Sequence, residues 1–164
     1  MRTSTITLGV AVFALAAATT AGATAPTTIR QSVSPPPFAH YLQCPGFWVD
    51  GEFHIDRTTT TFYDQSDQPI RTVQHVHADG TLSNPLTGKS LSDSGVFNVT
   101  VDLLTGERTI DGRVSKATSP GEGVVYEAVG RLVFAPDGTV AFEAGPHDDA
   151  DNDYGDLCNY LAAP

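Results

Sequence analysis

The sequence contains little cysteine, few basic residues and no long apolar run after its N-terminal region. Its 164 residues include 2 cysteines, 1 tryptophan and 9 lysines and arginines, against 19 aspartates and glutamates. The formal charge of −10 would repel the phosphates of nucleic acids and anionic lipids, so neither is expected as a partner. No later stretch approaches the roughly 18 apolar residues of a membrane span, so no span is predicted.

The N-terminal residues 1–25 have the features of a secretory signal peptide. Arg2 gives a short basic start, residues 6–18 are apolar, and small residues at 21–25 offer cleavage sites of the Ala-x-Ala type. The apolar run is too short to cross a bilayer. We therefore expect a secreted, extracellular protein. We also expect it to be a monomer or a dimer.

The two cysteines are predicted to form one disulfide. Cys44 and Cys158 lie near the two ends of the expected domain, and an oxidising compartment favours their bond. A loop of more than 100 residues between them gives about 4–5 kcal/mol of stabilisation in the chain-entropy model. A catalytic cysteine is disfavoured because the chain has no second, resolving pair.

Residues 26–40 are predicted to be a disordered or polyproline leader to a single β domain over 41–164. This segment is rich in Ser, Thr and Pro, and it ends in Pro35-Pro36-Pro37. Such a composition favours extended chain over a helix or a central strand.

The stretch 95–115 has the clearest pattern in the chain. Every second residue from Phe97 to Leu103 is apolar, which predicts a strand with one buried face. Gly106 supplies the positive φ of a tight turn, and the alternation resumes with Ile110 and Val114. This stretch therefore predicts a β-hairpin.

Similar patterns predict an all-β protein, an antiparallel meander of about eight strands. The other strands are expected at 47–56, 57–63, 69–78, 81–83, 89–91, 124–135 and 139–144, with a helical turn at 157–162. The apolar face must be buried by closure into a small barrel or by a two-sheet sandwich. Inward glycines at 51, 112 and 130 favour the barrel, because they permit sharp coiling of strands.

Three short motifs resemble those of uncharacterised small secreted actinobacterial proteins with a β-barrel-like pattern. They are Cys-Pro-Gly-Phe at 44–47, Asn-Pro-x-Thr-Gly-Lys at 84–89 and Asp-Leu-Cys at 156–158. This likeness implies a shared fold and export. In strand pattern the chain is also similar to the eight-stranded barrels of allene oxide cyclases and dirigent proteins. No catalytic residue of those families is matched, so no active site is carried over.

The apolar inner face predicts a binding or interaction module for a small apolar ligand or a protein partner. The candidate lining residues are Phe97, Tyr126, Leu132, Phe134 and Phe142. No catalytic machinery and no cofactor are expected. The alternative is a cyclase- or isomerase-type enzyme, in which Tyr126 with Gln74 or Glu52 supplies polar groups inside an apolar cavity.

His75 and His77 share one face of a predicted strand, an arrangement that suits zinc or copper, with His54 or an Asp as a third ligand. The alternative is two solvated histidines on the outer face, which the apolar register of Ile70 and Val76 favours. The acidic stretch 149–156 resembles a calcium loop only loosely, because its glycine and its twelfth residue do not fit that motif.

Trp48 lies in the polar register of its predicted strand, close to Cys44. Two interpretations follow from this position. The ring caps the barrel end over the disulfide, or it is an exposed anchor for a ligand or partner.

Overall fold

Antiparallel strands make up most of the molecule. The computed structural model describes residues 24–146 and 154–163. The strands are β1 (Thr27–Val33), β2 (Phe38–Cys44), β3 (Phe47–Tyr63), β4 (Pro69–Ser83), β5 (Ser90–Asp102), β6 (Arg108–Ser119), β7 (Gly123–Phe134) and β8 (Val140–Ala144). One helix, α1 (Gly155–Ala162), follows them. The predicted antiparallel meander is confirmed.

All the strands belong to one sheet in the order β1-β3-β4-β5-β6-β7-β8, and β2 pairs with β3. Every pair is antiparallel. Within the described residues no ladder joins β1 to β8, so closure into a barrel is not confirmed. A single cavity is nevertheless lined by strands from β2 to β7 together with α1, so the sheet curves around it.

Several predicted strands merge into longer ones. The runs 47–56 and 57–63 are one continuous strand, and β4 continues through Asp79-Gly80, the turn-forming pair that lies between the predicted strands 69–78 and 81–83. Gly80 stays in the sheet because it pairs with Phe53 on one side and with Asp93 on the other. Ladders on both flanks therefore outweigh the local turn signal.

The predicted disordered leader is wrong for residues 27–33, which form β1. This strand pairs with the Thr-rich second half of β3, from Val33 opposite Ile55 to Thr27 opposite Thr61. Its side chains are all exposed. Its backbone is held by the ladder, and the Thr28 hydroxyl lies 3.1 Å from that of Thr60. An edge strand of this kind depends on a partner in the sheet and not on apolar burial, so hydrophobic pattern does not reveal it.

The hairpin at 95–115 is present as the β5–β6 pair, with Phe97 opposite Gly112 and Val99 opposite Ile110. Leu103 is an exception to the predicted inward face. It lies in the turn after β5 and is 44% exposed. The turn forms earlier than predicted because the Asp102 carboxylate accepts hydrogen bonds from the Leu104 and Thr105 amides.

A disulfide and a buried turn fix α1 against the end of the sheet. Cys44 and Cys158 are bonded, with their Cα atoms 5.5 Å apart, as predicted. The helix buries Leu157 and Leu161 in a core that also contains Val49. The helix is longer than the single turn predicted from 157–162, because it starts at Gly155.

The turn at 84–89 caps the C-terminal end of α1. The side-chain amide of Asn84, which is 1% exposed, donates to the Leu161 carbonyl at 3.0 Å, and the Thr87 hydroxyl donates to the same oxygen at 3.2 Å. Late carbonyls of a helix have no partner within the helix, so these donors satisfy one of them. Lys89 Nζ also lies 4.0 Å from the ring centroid of Tyr160, on the last turn. The turn at 84–89 therefore holds the C-terminal end of α1 against the sheet.

Candidate functional site

The candidate site is a cavity of about 460 Å³ on the concave face of the sheet, beside the core under α1. Strands β2 to β7, Tyr154 and α1 all contribute to its wall. The lining residues are Phe38, Tyr41, Leu42, Phe53, Ile55, Val76, Ala78, Leu82, Asp93, Phe97, Val114, Ser115, Tyr126, Tyr154 and Leu157. A mostly apolar cavity of this size with few polar groups is typical of a small-molecule site.

Aromatic rings form the part of the wall that β2 and β3 contribute. The ring centroids of Tyr41 and Phe53 are 5.1 Å apart, and Phe38 lies 6.2 Å from Tyr41 and 6.3 Å from Phe53. On the other side of the cavity, Tyr126 and Tyr154 are 5.8 Å apart. Phe38 and Tyr41 are 43% and 53% exposed, so this aromatic group reaches the surface and marks the mouth of the cavity.

The charge in the cavity wall comes from β5. Among the described lining residues, Asp93 alone is charged. The Ser115 hydroxyl donates to Asp93 Oδ1 at 2.7 Å, and the backbone amide of Lys116 donates to the same atom at 3.0 Å. Asp93 lies between Leu91 and Phe97 in the inward register of β5. The cavity is therefore apolar with one carboxylate held in place from the neighbouring strand.

A β-bulge in β6 brings Ser115 to this position. The register shifts by one residue between Arg113 and Ser115 against β7, and between Asp93 and Val96 against β6. Consecutive residues Val114 and Ser115 consequently both line the cavity, which regular alternation forbids. A β-carbon at Gly95 would overlap the Val114 carbonyl, so glycine at this position permits the bulge to approach β5.

The structure places the five predicted lining residues in two groups. Phe97 and Tyr126 line the cavity. Leu132, Phe134 and Phe142 are not among the residues that line it. Leu132 is buried towards the far end of β7, the guanidinium of Arg108 lies 4.4 Å from the Phe134 ring centroid, and Phe142 is 51% exposed on β8. Leu132 lies beyond the residues that line the cavity, whereas Phe142 pairs with Val133 and therefore lies on the face of the sheet opposite Leu132.

The predicted metal ligands lie on the outer face of β4. His75 Nδ1 is 3.0 Å from Asn98 Oδ1, and His77 Nδ1 is 3.3 Å from Asp79 Oδ2. His54, on β3, is 3.6 Å from Asp56. In the part of the chain that the structure describes, no group of three or more His, Cys, Asp or Glu side chains is placed to bind a metal ion. The acidic stretch 149–156 lies largely outside the described residues.

The polar groups named for the enzyme alternative are not brought together. Tyr126 lines the cavity, whereas Glu52 is exposed on the outer face of β3 and Gln74 is not among the lining residues. Trp48 is 40% exposed, and its ring lies 5.2 Å from that of His40, so it packs on β2 with part of its surface in solvent.

Asp93 and Ser115 were missed by sequence reasoning, for different reasons. Extending the alternation of Phe97 back through Gly95 reaches Asp93, so the signal was present but was hidden by treating 89–91 as a separate strand. Ser115 carries no such signal, because its direction depends on the bulge.

Comparisons with known proteins add no family to this description. No protein-family model matches the chain, and neither a curated protein nor a solved structure matches it. The fold and the site must therefore be interpreted from their own geometry. No helix within the described ranges is both long and apolar enough to cross a membrane.

Proposed function

We propose that this protein is a secreted binding protein that holds a small, predominantly apolar molecule in the cavity between β2, the concave sheet and α1. The observation that carries the proposal is the cavity of about 460 Å³ with its apolar and aromatic wall. Contact with such a wall removes apolar ligand surface from water, at about 25 cal/mol per Å².

The fixed parts of the fold support a site that is formed before the ligand arrives. The disulfide joins the end of β2 to α1, and both elements contribute to the wall. Leu157 is 1% exposed in the core while it also lines the cavity. A wall that is part of the core keeps its shape, and preorganisation reduces the entropy lost on binding.

The binding of N-phenyl-1-naphthylamine, a neutral dye that fluoresces in apolar surroundings, tests this function. We expect saturable fluorescence with about one dye per chain, since the proposal assigns the dye to this one cavity. Ala78→Phe places a ring in the cavity and should weaken dye binding about tenfold or more. Ala78 lines the cavity, so the effect should be direct.

Asp79→Phe is the matched control, because the same ring is then added one residue along β4 on the exposed outer face. It should leave dye binding unchanged. Ile55→Phe is a second filling variant in case Ala78→Phe does not fold, as judged by circular dichroism. Unsaturable dye binding, or equal binding by filled and control variants that are folded, would contradict the proposal.

The second candidate, a cyclase- or isomerase-type enzyme, gains one observation from the structure. Tyr126 and Asp93 both line the apolar cavity, and such chemistry needs a positioned acid or base. Turnover of a bound apolar substrate that is lost in Tyr126→Phe, while binding is retained, would favour the enzyme over the binding protein.

A further inference from the structure

We propose that the ligand of the cavity is an amphipathic carboxylate, with its carboxylate on Arg57 and its apolar or aromatic body inside the cavity. This inference rests on the proposed binding function and specifies its ligand class. It follows from the position of Arg57 on the concave face and from the hydrogen bonds of its guanidinium group.

Arg57 lies at the border of the cavity, at the end of the apolar wall that is farther from α1. It follows Ile55 by two residues on β3, and residues two apart on a strand point to the same face. Val76 lies directly opposite Arg57 on β4, and both Ile55 and Val76 line the cavity. The register of β3 with β4 is regular from position 50 to position 62, so no bulge turns Arg57 away from this face. A cation therefore adjoins the apolar wall.

The guanidinium group of Arg57 has hydrogen-bonding capacity that the protein does not use. Its Nη2 donates to Gln31 Oε1 at 2.6 Å, whereas its Nε is buried and has no hydrogen-bond partner. Arg57 forms no salt bridge with a carboxylate of residues 24–146 or 154–163. A buried donor without an acceptor is unfavourable, and more so in a charged group.

A ligand carboxylate would supply the counter-ion that Arg57 lacks. The residue as a whole is only partly buried, so a molecule at the border of the cavity can reach the guanidinium group. Arginine stays protonated at neutral pH, and its planar fork of N–H groups matches the two oxygens of a carboxylate. The same molecule can place its apolar body against Ile55 and Val76, which adjoin Arg57 in the wall.

The negative charges of the protein lie farther from this position than the guanidinium does. Asp93, in the cavity wall, lies opposite Gly80, which is itself opposite Phe53, four residues before Arg57 on β3. Four residues of a strand span about 13 Å, and Coulomb repulsion falls with distance. The formal charge of −10 repels anions at longer range, where salt screens it beyond about 8 Å. Attraction by Arg57 should therefore dominate.

Three ligands with one skeleton test the preference at neutral pH. They are 4-phenylbutyrate, 4-phenylbutanol and 4-phenylbutylamine, an anion, a neutral alcohol and a cation. Each is titrated against the protein with bound N-phenyl-1-naphthylamine in about 0.15 M salt, which limits the effect of the net charge. We expect the carboxylate to displace the dye at a concentration about tenfold or more below that of the amine, with the alcohol between them.

Paired variants assign the preference to Arg57. Arg57→Gln should reduce the difference between carboxylate and amine to about threefold or less, while the alcohol changes by less than about twofold. Arg30→Gln is the matched control, because it removes the same charge from the exposed face of the neighbouring strand, one residue from Gln31. It should leave the preference unchanged within about twofold. Arg57→Met replaces Arg57→Gln if the latter does not fold, as judged by circular dichroism.

The outcomes separate the two proposals. If neither the dye nor any of the three ligands binds, the binding function itself fails. If the dye and the alcohol bind but the amine competes as well as the carboxylate, the function stands and the preference for carboxylates is wrong. A preference that persists unchanged in a folded Arg57 variant, or that Arg30→Gln reduces equally, would overturn the role given to Arg57.

Discussion

The ring of Phe53 lies over Gly51, two residues earlier on the inner face of β3. A β-carbon at Gly51 would come within 2.7 Å of Cε2 of that ring and within 3.2 Å of Tyr41 Cγ. Gly51 is itself buried, and its φ is not in the left-handed region. Glycine is therefore needed here to make room for two rings of the cavity wall, and not for its backbone freedom.

Gly51→Ala should displace Phe53 and Tyr41 and narrow the cavity mouth. Overpacking of this kind costs about 1–3 kcal/mol of unfolding free energy, and binding of the naphthylamine dye should weaken in parallel. Urea denaturation and dye titration measure the two effects. The control is Glu52→Ala, on the exposed face one residue along, with a change within about 0.5 kcal/mol. Unchanged stability and dye affinity in Gly51→Ala would show that the rings do not depend on this glycine.

Removal of the disulfide should be the most destabilising of these changes. The bonded cysteines are 114 residues apart, and a loop of that length gives about 4–5 kcal/mol in the chain-entropy model. Replacement of both Cys44 and Cys158 by Ala should lower the unfolding free energy by that order, as measured in urea. A thiol reductant should shift the midpoint of the native protein and leave the double variant unaffected. Equal urea midpoints for the native protein without reductant and for the double variant would show that the disulfide does not stabilise the fold.

Asn84→Ala should loosen α1. The substitution removes the donor to the Leu161 carbonyl and the acceptor of the Leu86 amide, and buried groups left unpaired cost about 1–3 kcal/mol each. We expect the unfolding free energy to fall by about 2 kcal/mol. Relative to the unsubstituted protein, amide exchange should become faster in α1 to a greater extent than in β4. Thr87→Val, which removes only the longer bond to Leu161, should cost about 0.5–1 kcal/mol. Equal protection of α1 in both variants would refute the capping role.

The β5–β6 turn should weaken in acid. Hydrogen bonds from the amides of Thr105 and Leu104 hold the pKa of Asp102 below its ordinary value. Because this pKa is lower in the folded than in the unfolded state, ionised Asp102 stabilises the fold fully above the unfolded-state pKa of about 3.9. This stabilisation is lost as the pH falls through the folded-state pKa. Asp102→Asn should therefore lower the melting temperature at pH 7 more than at pH 3. An equal difference at both pH values would mean that ionisation of Asp102 does not stabilise the turn.

The positions of most strands could be predicted from the sequence, because the alternation of apolar residues along a strand reflects which of its faces is buried. Phe47, Val49, Phe53 and Ile55 share one face of the predicted strand 47–56, and the structure places them in the core or the cavity wall. The pairing of Cys44 with Cys158 followed from their number and the expected compartment. These features depend on local periodicity and on redox chemistry, and both can be judged without the fold.

The shape of the site depended on interactions between distant segments. β1 exists because β3 offers an edge, and Asn84 is buried because a helix more than 70 residues later ends beside it. The bulge at Val114 turns Ser115 towards Asp93, and no period in either strand encodes that shift. Phe142 alternates with its neighbours as Phe97 does, yet it is exposed, because it pairs with Val133 and so lies on the face of the sheet opposite Leu132. Sequence pattern assigns a face to a residue, whereas strand order and register decide whether that face lines the cavity.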